Sequence, residues 1–163
     1  MLIIRPASLA DLPAITEIYN EAVLTTTATF DTNPKSEADR KEWFDDHDNR
    51  HPIVVAELEG VVIGWASLSR WSERLAYADT AEISLYVKSE YRGLGVGRQL
   101  ISKIVEAGQR AELRTVIARI ADGNEVSIHL HKTVGFEHIG VMRQVGRKFG
   151  RLLDVHLMQK IYP

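Results

Sequence analysis

The chain has 163 residues, of which 45% are apolar and 26% are charged. This composition is typical of a globular protein with its own core, and we expect a single domain over residues 1–163. A formal net charge of −2 excludes a general attraction to nucleic acid or anionic membranes, and the absence of cysteine excludes disulfides, thiolate zinc sites and a thiol nucleophile.

The hydrophobic pattern predicts one mixed sequence of strands and helices. In chain order the predicted elements are a strand at 2–4, a helix at 12–23 capped by Ser8 or Asp11, a loop at 25–36, a polar helix at 36–48, two strands within 52–71, a strand at 81–87, a helix at 96–111, a strand at 114–120, a helix at 124–134 and two C-terminal strands around Gly146 and Gly150. Glu59-Gly60, between the two strands of 52–71, predicts an antiparallel hairpin. This order favours an α/β (α+β) fold with one mostly antiparallel sheet flanked by helices.

Three glycines occur within five positions of "RGLGVGR" at 92–98, between a predicted strand and a predicted helix. Unpaired N–H groups at a helix start bind phosphate, and glycine lets the phosphate oxygens approach the backbone. The Lys-Ser/Thr of a nucleotide-triphosphate loop is missing, and Arg98 stands where a dinucleotide fingerprint has its third glycine. From these residues alone, a flexible turn and a phosphate-binding loop are equally good interpretations.

The segments "AEISLYVKSEYRGLGVGRQL" and "NEVSIHLHKTVGF" together resemble the GNAT superfamily of acetyl-CoA-dependent N-acetyltransferases. Its motif, [Arg/Gln]-x-x-Gly-x-[Gly/Ala], is matched by Arg92, Gly95 and Gly97. The segments "RPASLADLPAITEIYNEAV", "TATF" and "VGRKFGRLLDV" resemble the branch of phosphinothricin, methionine sulfone and methionine sulfoximine acetyltransferases. The resemblance covers the whole chain and implies the GNAT fold, in which two central strands splay apart.

The resemblance implies acetyl-CoA as co-substrate, with its pyrophosphate on the backbone amides of the glycine segment. The backbone of 85–87 is implied to pair with pantetheine, and Val87 to offer an N–H to the thioester oxygen. Asn124 is implied to contact pantetheine, and from the residues alone it is equally the cap of the next helix. The implied acetyl-CoA contacts are Leu85, Tyr86, Val87, Arg92, Gly93, Leu94, Gly95, Val96, Gly97, Arg98, Asn124 and Ser127.

Two residues are candidates for the proton transfers of amine acetylation. Glu82 opens an apolar strand, where a carboxylate is costly to desolvate unless it faces a cleft or a partner, and it matches the general base of the branch. The alternative for Glu82 is a solvated strand end. His131 stands where many GNAT enzymes have a tyrosine that protonates the thiolate, and it can act as an acid only when charged, or otherwise as a base or substrate orienter. His129 lies on another helix face, and we expect it to be structural.

The substrate side is predicted from the segment 69–77, which follows a long strand and is expected to overhang the site. Its Arg74 can hold a carboxylate through two parallel hydrogen bonds, as an amino-acid substrate requires. Arg74 and Tyr77 match substrate-side positions of the branch, Phe30 matches a pocket position, and Trp71 accompanies them. Alternatively, Arg74 is a surface arginine without a specific role, and Phe30 is an ordinary core aromatic residue.

The leading hypothesis is transfer of the acetyl group of acetyl-CoA to the α-amino group of phosphinothricin, methionine sulfone or methionine sulfoximine, which would detoxify these compounds. One alternative is acetylation of a polyamine, with carboxylates such as Asp31, Glu73 and Asp79 in the pocket, or of a protein N-terminus. Another is a non-catalytic acyl-CoA-binding regulator, which would need neither Glu82 nor His131.

The remaining expectations concern partners and location. By analogy with the branch we expect a homodimer, in which the predicted hairpin at 145–155 lies near the partner subunit and helps to close the pocket. The six histidines and the acids show no metal-ligand spacing, so we expect no metal. The chain starts without a signal-peptide pattern and has no run of roughly 20 apolar residues, so we expect a cytoplasmic protein without a membrane or nucleic-acid partner.

Overall fold

The computed structural model describes residues 1–163 as a seven-stranded sheet with four α-helices. The strands are β1 (Leu2–Pro6), β2 (Ile53–Leu58), β3 (Val61–Arg70), β4 (Thr80–Val87), β5 (Thr115–Ala121), β6 (Glu137–Lys148) and β7 (Arg151–Ile161). The helices are α1 (Leu12–Thr25), α2 (Glu37–Asp45), α3 (Val96–Arg110) and α4 (Glu125–Thr133), with short 3₁₀ turns at Leu9–Asp11, Leu75–Tyr77 and Ser89–Tyr91. The strand order is β1-β2-β3-β4-β5-β7-β6, and only the β4–β5 pair is parallel, which confirms the predicted mixed, mostly antiparallel sheet.

Local sequence explains where several elements begin and turn. Asp39 and Ser36 form a reciprocal capping box at the start of α2. The β2–β3 hairpin turns at Glu59-Gly60, where both residues have positive φ, 49° and 79°, as a two-residue hairpin turn requires. The β6–β7 hairpin turns in the same way at Phe149-Gly150, with φ of 52° and 74°.

The sequence predicts two C-terminal strands around Gly146 and Gly150, and the structure places Gly146 inside β6 and Gly150 at the turn. A Cβ atom at this position would collide with the ring of Phe30. Packing against the 27–31 loop therefore accounts for the glycine, and the chain reverses only at Phe149-Gly150.

Helices cover both faces of the sheet, and each face has its own core. On one face, buried residues of α3 such as Leu100 and Ile104 pack with Ile63 of β3. On the other face, Ile15 of α1 packs with Trp65 of β3. We call these two faces the α3 side and the α1 side. No helix in the fold combines the length and the hydropathy of a membrane span.

The parallel strands β4 and β5 separate shortly after they meet. They are paired only from Thr80 opposite Thr115 to Glu82 opposite Ile117. Beyond this point β4 continues to Val87 along β3, and β5 continues along β7. The sheet therefore opens between its two central strands, and the predicted splay is confirmed.

Candidate active site

A cavity of about 450 Å³ lies where β4 and β5 separate. Its walls come from the loop at 27–30, the two separating strands, the start of α4 and the β6–β7 hairpin. Its polar lining residues are Thr27, Thr29, Glu82, Ser84, Tyr86, Arg119, Asn124, Ser127 and His131. Glu82, His131, Asn124 and Ser127, predicted from the sequence as catalytic or acetyl-CoA-binding, thus meet in one cavity.

The pleat of β4 divides this cavity between the two faces of the sheet. Leu85 packs against the core of the α3 side, whereas Tyr86 packs against Tyr19 on the α1 side. Because alternate residues of a strand point to opposite faces, Glu82 lies on the same side as Tyr86. The α4 residue His131 contacts Phe136 in the core of the α3 side. The cavity therefore passes through the sheet and offers a separate approach from each face.

On the α1 side, Glu82 forms a two-pronged ion pair with Arg119. The Nε atom of Arg119 donates to Oε2 of Glu82 at 2.5 Å, and Nη2 donates to Oε1 at 2.7 Å. This hydrogen bonding raises the pKa of Arg119 above its ordinary value. The Arg119 guanidinium also lies 5.6 Å from the ring centre of Trp71. Glu82 thus both faces a cleft and has a cationic partner, which satisfies each condition expected for a carboxylate in an apolar strand.

His131 is buried on the α3 side, and only 5% of its surface is exposed. Its Nδ1 lies 2.7 Å from the carbonyl oxygen of Ser127, which can only accept, so Nδ1 carries a proton and donates it. Burial lowers the pKa of His131 below its ordinary value of 6.5. The ring is therefore neutral at pH 7, with Nε2 as a hydrogen-bond acceptor.

The glycine segment forms an open ring of backbone donors at the start of α3. None of the N–H groups of residues 93–98 donates a hydrogen bond within the chain. Gly93 and Gly95 have φ of 76° and 84°, and nothing lies within 4 Å of where a Cβ would stand on either. Successive unpaired N–H groups at a helix N-terminus suit an anion such as phosphate. The geometry therefore favours a phosphate-binding loop over a simple turn.

The charged residues of this segment differ in their contacts. Arg92 donates through Nε to the Val87 carbonyl at 3.1 Å and lies 3.6 Å from Glu21. Arg98 is exposed in the first turn of α3 and forms no ion pair. Leu94 is exposed, whereas Val96 is buried in the core of the α3 side. Arg98 is therefore the cation that is free to approach a bound anion.

The backbone of β4 presents free N–H groups to the opening. The Lys88 N–H donates to the Ile63 carbonyl of β3 at 2.8 Å, and antiparallel strands bond through alternate residues. The backbone of Tyr86 is therefore bonded to β3, while the N–H groups of Leu85 and Val87 point to the side from which β5 has moved away. The free N–H groups of Leu85 and Val87 fit the predicted pantetheine contacts. The backbone of Tyr86 does not, because it is bonded to β3, although its side chain lines the cavity.

Asn124 caps α4 and also lines the cavity. Its Oδ1 accepts from the Ser127 N–H at 3.2 Å and caps α4. The side chain also lines the cavity beside Ser127, and its NH₂ group makes no hydrogen bond within the chain. Capping and ligand contact are thus compatible at this residue.

Phe30 lines the cavity from the α1 side, and its ring packs against Gly146 of the β6–β7 hairpin. The hairpin is anchored to the same loop by the buried Lys148, whose Nζ donates to the Thr29 carbonyl at 2.7 Å. Met142 and Val145 of β6 also line the cavity. The hairpin therefore closes the cavity within a single chain.

The predicted substrate residues of the 69–77 segment lie outside the cavity lining. Trp71 reaches the site only through its contact with Arg119. Arg74 is exposed and binds Ser72 through its backbone N–H at 3.2 Å. Tyr77 lies in a 3₁₀ turn and is 45% exposed. Their part in substrate binding stays a prediction, because no contact of their side chains with the cavity is formed in this structure.

The chain also matches a known family. Residues 14–136 match the family model described as the acetyltransferase (GNAT) family. The chain belongs to this family. The membership predicted from Arg92, Gly95 and Gly97 is thereby confirmed, and the protein is an acetyltransferase.

Several relatives of this acetyltransferase have specific names. It is 44% identical over 158 residues to the L-methionine sulfoximine/L-methionine sulfone acetyltransferase of Pseudomonas aeruginosa, a match that covers 96% of this chain and 92% of the relative. It superposes with a TM-score of 0.94 and 41% identity on a phosphinothricin acetyltransferase from Sinorhizobium meliloti, solved in complex with acetyl-CoA, over 98% of this chain and 88% of that one. It also superposes with a TM-score of 0.92 and 41% identity on a ribosomal-protein-alanine N-acetyltransferase from Brucella melitensis, over 98% and 99% of the two chains.

Sequence reasoning missed several residues that line the acetyltransferase cavity. The most important is Arg119, which interrupts the apolar strand "TVIARIA" and shares its face with Glu82. A charged residue inside an apolar strand is the signal that singles out Glu82, and Arg119 carries the same signal. Met142, Val145 and Val155 carry no such signal, because apolar residues of a hairpin do not reveal what they cover. No group of three or more histidine, aspartate or glutamate side chains is placed to hold a metal ion.

Proposed function

We propose that this acetyltransferase transfers the acetyl group of acetyl-CoA to the α-amino group of a small amino acid of the methionine sulfone, methionine sulfoximine and phosphinothricin type. The observation that carries the proposal is the cavity through the sheet, which joins the free N–H groups of the α3 side to Glu82 on the α1 side. The names of the Pseudomonas and Sinorhizobium relatives support the substrate class.

The residues around the opening fit acetyl-CoA. The free N–H groups of 93–98 and the charge of Arg98 suit the pyrophosphate, and the N–H groups of Leu85 and Val87 suit the amides and thioester oxygen of the pantetheine arm. The free NH₂ of Asn124 and the hydroxyl of Ser127 add polar contacts at the same wall. When bound, acetyl-CoA supplies an activated acetyl thioester, and the chain's own residues orient it.

The proposed chemistry is direct attack of the amine on the thioester carbonyl within a ternary complex, since the chain has no cysteine to carry the acetyl group. The C–N bond forms as the C–S bond breaks, and coenzyme A leaves as a thiolate that takes up a proton from solvent. Glu82 accepts the proton that the ammonium group must lose to become a nucleophile, directly or through water. Val87 stabilises the oxyanion through its N–H. His131, being neutral, accepts a hydrogen bond at Nε2 and orients the reacting groups.

The size of the cavity supports a small acceptor. A volume of about 450 Å³ is in the usual range of small-molecule sites, and the hairpin and the 27–30 loop cover it on the α1 side. Phe30 supplies an apolar wall for the acceptor's side chain. Trp71, Arg74 and Tyr77 lie on one segment, and the Trp71 ring lies 5.6 Å from the Arg119 guanidinium of the cavity wall. We propose that these three residues complete the substrate site when substrate is bound.

We further propose that residues 1–163 act as one domain in the cytoplasm and associate as a homodimer. Support for the dimer comes from the β6–β7 hairpin, which exposes apolar side chains along a sheet edge. These are Ile139, Val141, Val145, Phe149 and Leu152. A monomer mass at micromolar concentration in sedimentation would contradict the dimer.

The experiment that tests the proposed function is release of coenzyme A thiol from acetyl-CoA, which a cysteine-free protein reports without background. The acceptors are phosphinothricin, methionine sulfone, methionine sulfoximine, spermidine and a peptide with an N-terminal alanine. We expect activity with the first three. Activity only with the peptide, which the name of the Brucella neighbour suggests, or only with spermidine, would overturn the substrate class. Binding of acetyl-CoA without any turnover would favour the non-catalytic regulator.

A further inference from the structure

Arg119 is the cationic side chain in the wall of the cavity. The other ionised residue of the lining is Glu82, and His131 is neutral. Arg74, predicted from the sequence to hold a carboxylate, lies outside the lining. The buried Lys148 is bonded to the Thr29 carbonyl and does not line the cavity either.

Arg119 uses only one edge of its guanidinium. A guanidinium has five N–H donors in a planar fork, and Glu82 accepts from Nε and from one hydrogen of Nη2. Nη1 makes no hydrogen bond within the chain. The edge formed by Nη1 and Nη2 therefore keeps three donors, which is the geometry that binds a second carboxylate in two-pronged fashion.

Arg119 is also on the side of the sheet from which an acceptor would enter. It shares the α1 side with Glu82 and Phe30, opposite the α3 side, where the free amides of the glycine segment lie. About half of its side chain, 51%, is exposed, so the free edge is accessible.

We infer that Arg119 binds the α-carboxylate of the amino-acid substrate through its Nη1/Nη2 edge while its Nε/Nη2 edge holds Glu82. This inference rests on the proposed function. The ammonium and carboxylate groups of an α-amino acid are attached to the same carbon atom, so a carboxylate on Arg119 brings the ammonium group beside Glu82. One side chain then both selects for an amino acid and positions the base against its α-amino group.

The test compares two acceptors that share a tail, methionine sulfone and 3-(methylsulfonyl)propylamine, which lacks the carboxylate. For the wild type we expect kcat/KM to favour methionine sulfone strongly. In Arg119→Gln this preference should fall by roughly 30- to 100-fold, the usual effect of losing a charge-assisted pair. Arg119→Lys keeps the positive charge but not the planar fork of donors. Its preference for methionine sulfone should lie between those of the wild type and Arg119→Gln. Arg110→Gln, an exposed arginine at the far end of α3, is the matched control.

Three results would overturn the inference, and each has a different meaning for the proposed function. If Arg119→Gln slows both acceptors by the same factor, Arg119 only positions Glu82. If Arg119→Gln leaves the preference unchanged, the carboxylate binds elsewhere and the proposed function still stands. If the wild type acetylates no amino acid of the panel, the proposed function fails together with the inference. The affinity for acetyl-CoA, unchanged within about twofold, verifies that each variant is folded, and Arg119→Lys serves if Arg119→Gln is unstable.

Discussion

Glu82 and His131 reach the cavity from opposite faces of the sheet, and their surroundings suit them to different tasks. Glu82 is half of an ion pair on the α1 side, where the acceptor is proposed to bind. His131 is neutral on the α3 side, because burial lowers its pKa and its Nδ1 proton is committed to the Ser127 carbonyl. A neutral imidazole cannot protonate a thiolate, so the acid role of the tyrosine in other GNAT enzymes does not transfer to His131 at pH 7.

Replacement of Glu82 tests the base. We expect Glu82→Gln to lower kcat by about 10² to 10³, because an amide cannot accept the ammonium proton, with little change in the affinity for acetyl-CoA. Glu57→Gln is the matched control, since Glu57 is also a strand carboxylate paired with an arginine, Arg5, at 2.8 Å, but lies outside the cavity. A turnover of Glu82→Gln within a few fold of wild type would exclude Glu82 as the base.

The pH dependence of the rate tests His131. Because its pKa is lowered, the neutral ring should persist to below pH 6.5, and kcat/KM should decline only as the pH falls through the lowered pKa. His131→Phe should remove this acidic limb and reduce kcat by about tenfold or more. His129→Phe, on an exposed face of the same helix, should keep the limb. An unchanged profile in His131→Phe would show that the protonation state of His131 does not control the rate.

At the scale of elements, the three glycines of the segment at 92–98 differ in why the fold uses glycine there. Gly93 and Gly95 have left-handed φ, which L side chains adopt at a cost, and this conformation exposes the donors at the start of α3. Gly97 is an ordinary helical residue, and a Cβ there would meet Leu130 at 3.4 Å, a normal contact distance. The motif's tolerance of alanine at this third position agrees with that geometry.

This difference predicts opposite outcomes for two similar substitutions. Gly95→Ala should destabilise the fold by about 1 to 2 kcal/mol and weaken acetyl-CoA binding about tenfold, because the donors at the start of α3 are displaced. Gly97→Ala should be as stable as the wild type or up to about 1 kcal/mol more stable, since alanine favours a helix interior, and should bind acetyl-CoA normally. Thermal unfolding and titration with acetyl-CoA measure both effects. Equal losses in the two variants would contradict this account of the loop.

The contact between β6 and the 27–30 loop gives a prediction about the acceptor side. Gly146→Ala should displace the Phe30 ring and raise KM for the amino acid about tenfold, while KM for acetyl-CoA stays within about twofold. In the double variant Gly146→Ala/Phe30→Ala the clash is absent, so its stability should exceed the sum of the two single effects. Strict additivity would show that the two residues do not press on each other in solution.

At the scale of the whole molecule, one buried and one partly buried histidine, His131 and His47, make the fold sensitive to mild acid. The Nδ1 atom of His47 donates to the Trp43 carbonyl at 2.7 Å, which leaves Nε2 of the neutral ring to accept from the Ser69 hydroxyl at 2.9 Å. Partial burial lowers the pKa of His47, as burial lowers that of His131. Below pH 6.5 the unfolded chain therefore binds more protons than the folded one, so the free energy of unfolding falls as the pH falls. Asp11 and Asp48, whose pKa values are also lowered by hydrogen bonds despite partial burial, act in the same direction only near pH 4 and below.

The melting temperature should accordingly drop by about 3 to 8 °C between pH 7.5 and pH 5, in the window of the two histidines. His47→Gln and His131→Gln should each reduce this drop, whatever they do to the stability at pH 7.5. His129→Gln should leave the drop unchanged, because His129 is exposed. A melting temperature that is constant down to pH 5 would contradict the lowered pKa values.

The order of the elements and the family followed from the sequence, because both depend on local patterns. Apolar periodicity marks each strand and helix, Asn124 and the Glu59-Gly60 turn mark boundaries, and Arg92, Gly95 and Gly97 form a compact motif. The local pattern did not show why position 146 is a glycine: it lies inside β6, where the Phe30 ring leaves no room for a side chain.

Only the tertiary structure decided which residues line the cavity on the α1 side, where the acceptor is proposed to bind. Arg119 is 37 positions from Glu82 in the chain, and the two meet because a parallel pairing of β4 and β5 sets them on the same face where the strands separate. Arg74, on the segment between β3 and β4, lies outside the cavity, whereas Val145 of β6 lines it. By itself the sequence determined the fold class, the family and the donors at the start of α3, since these are encoded in contiguous residues. Which charges share the cavity depended on register and strand separation, which arise from the packing of distant segments and have no local signature.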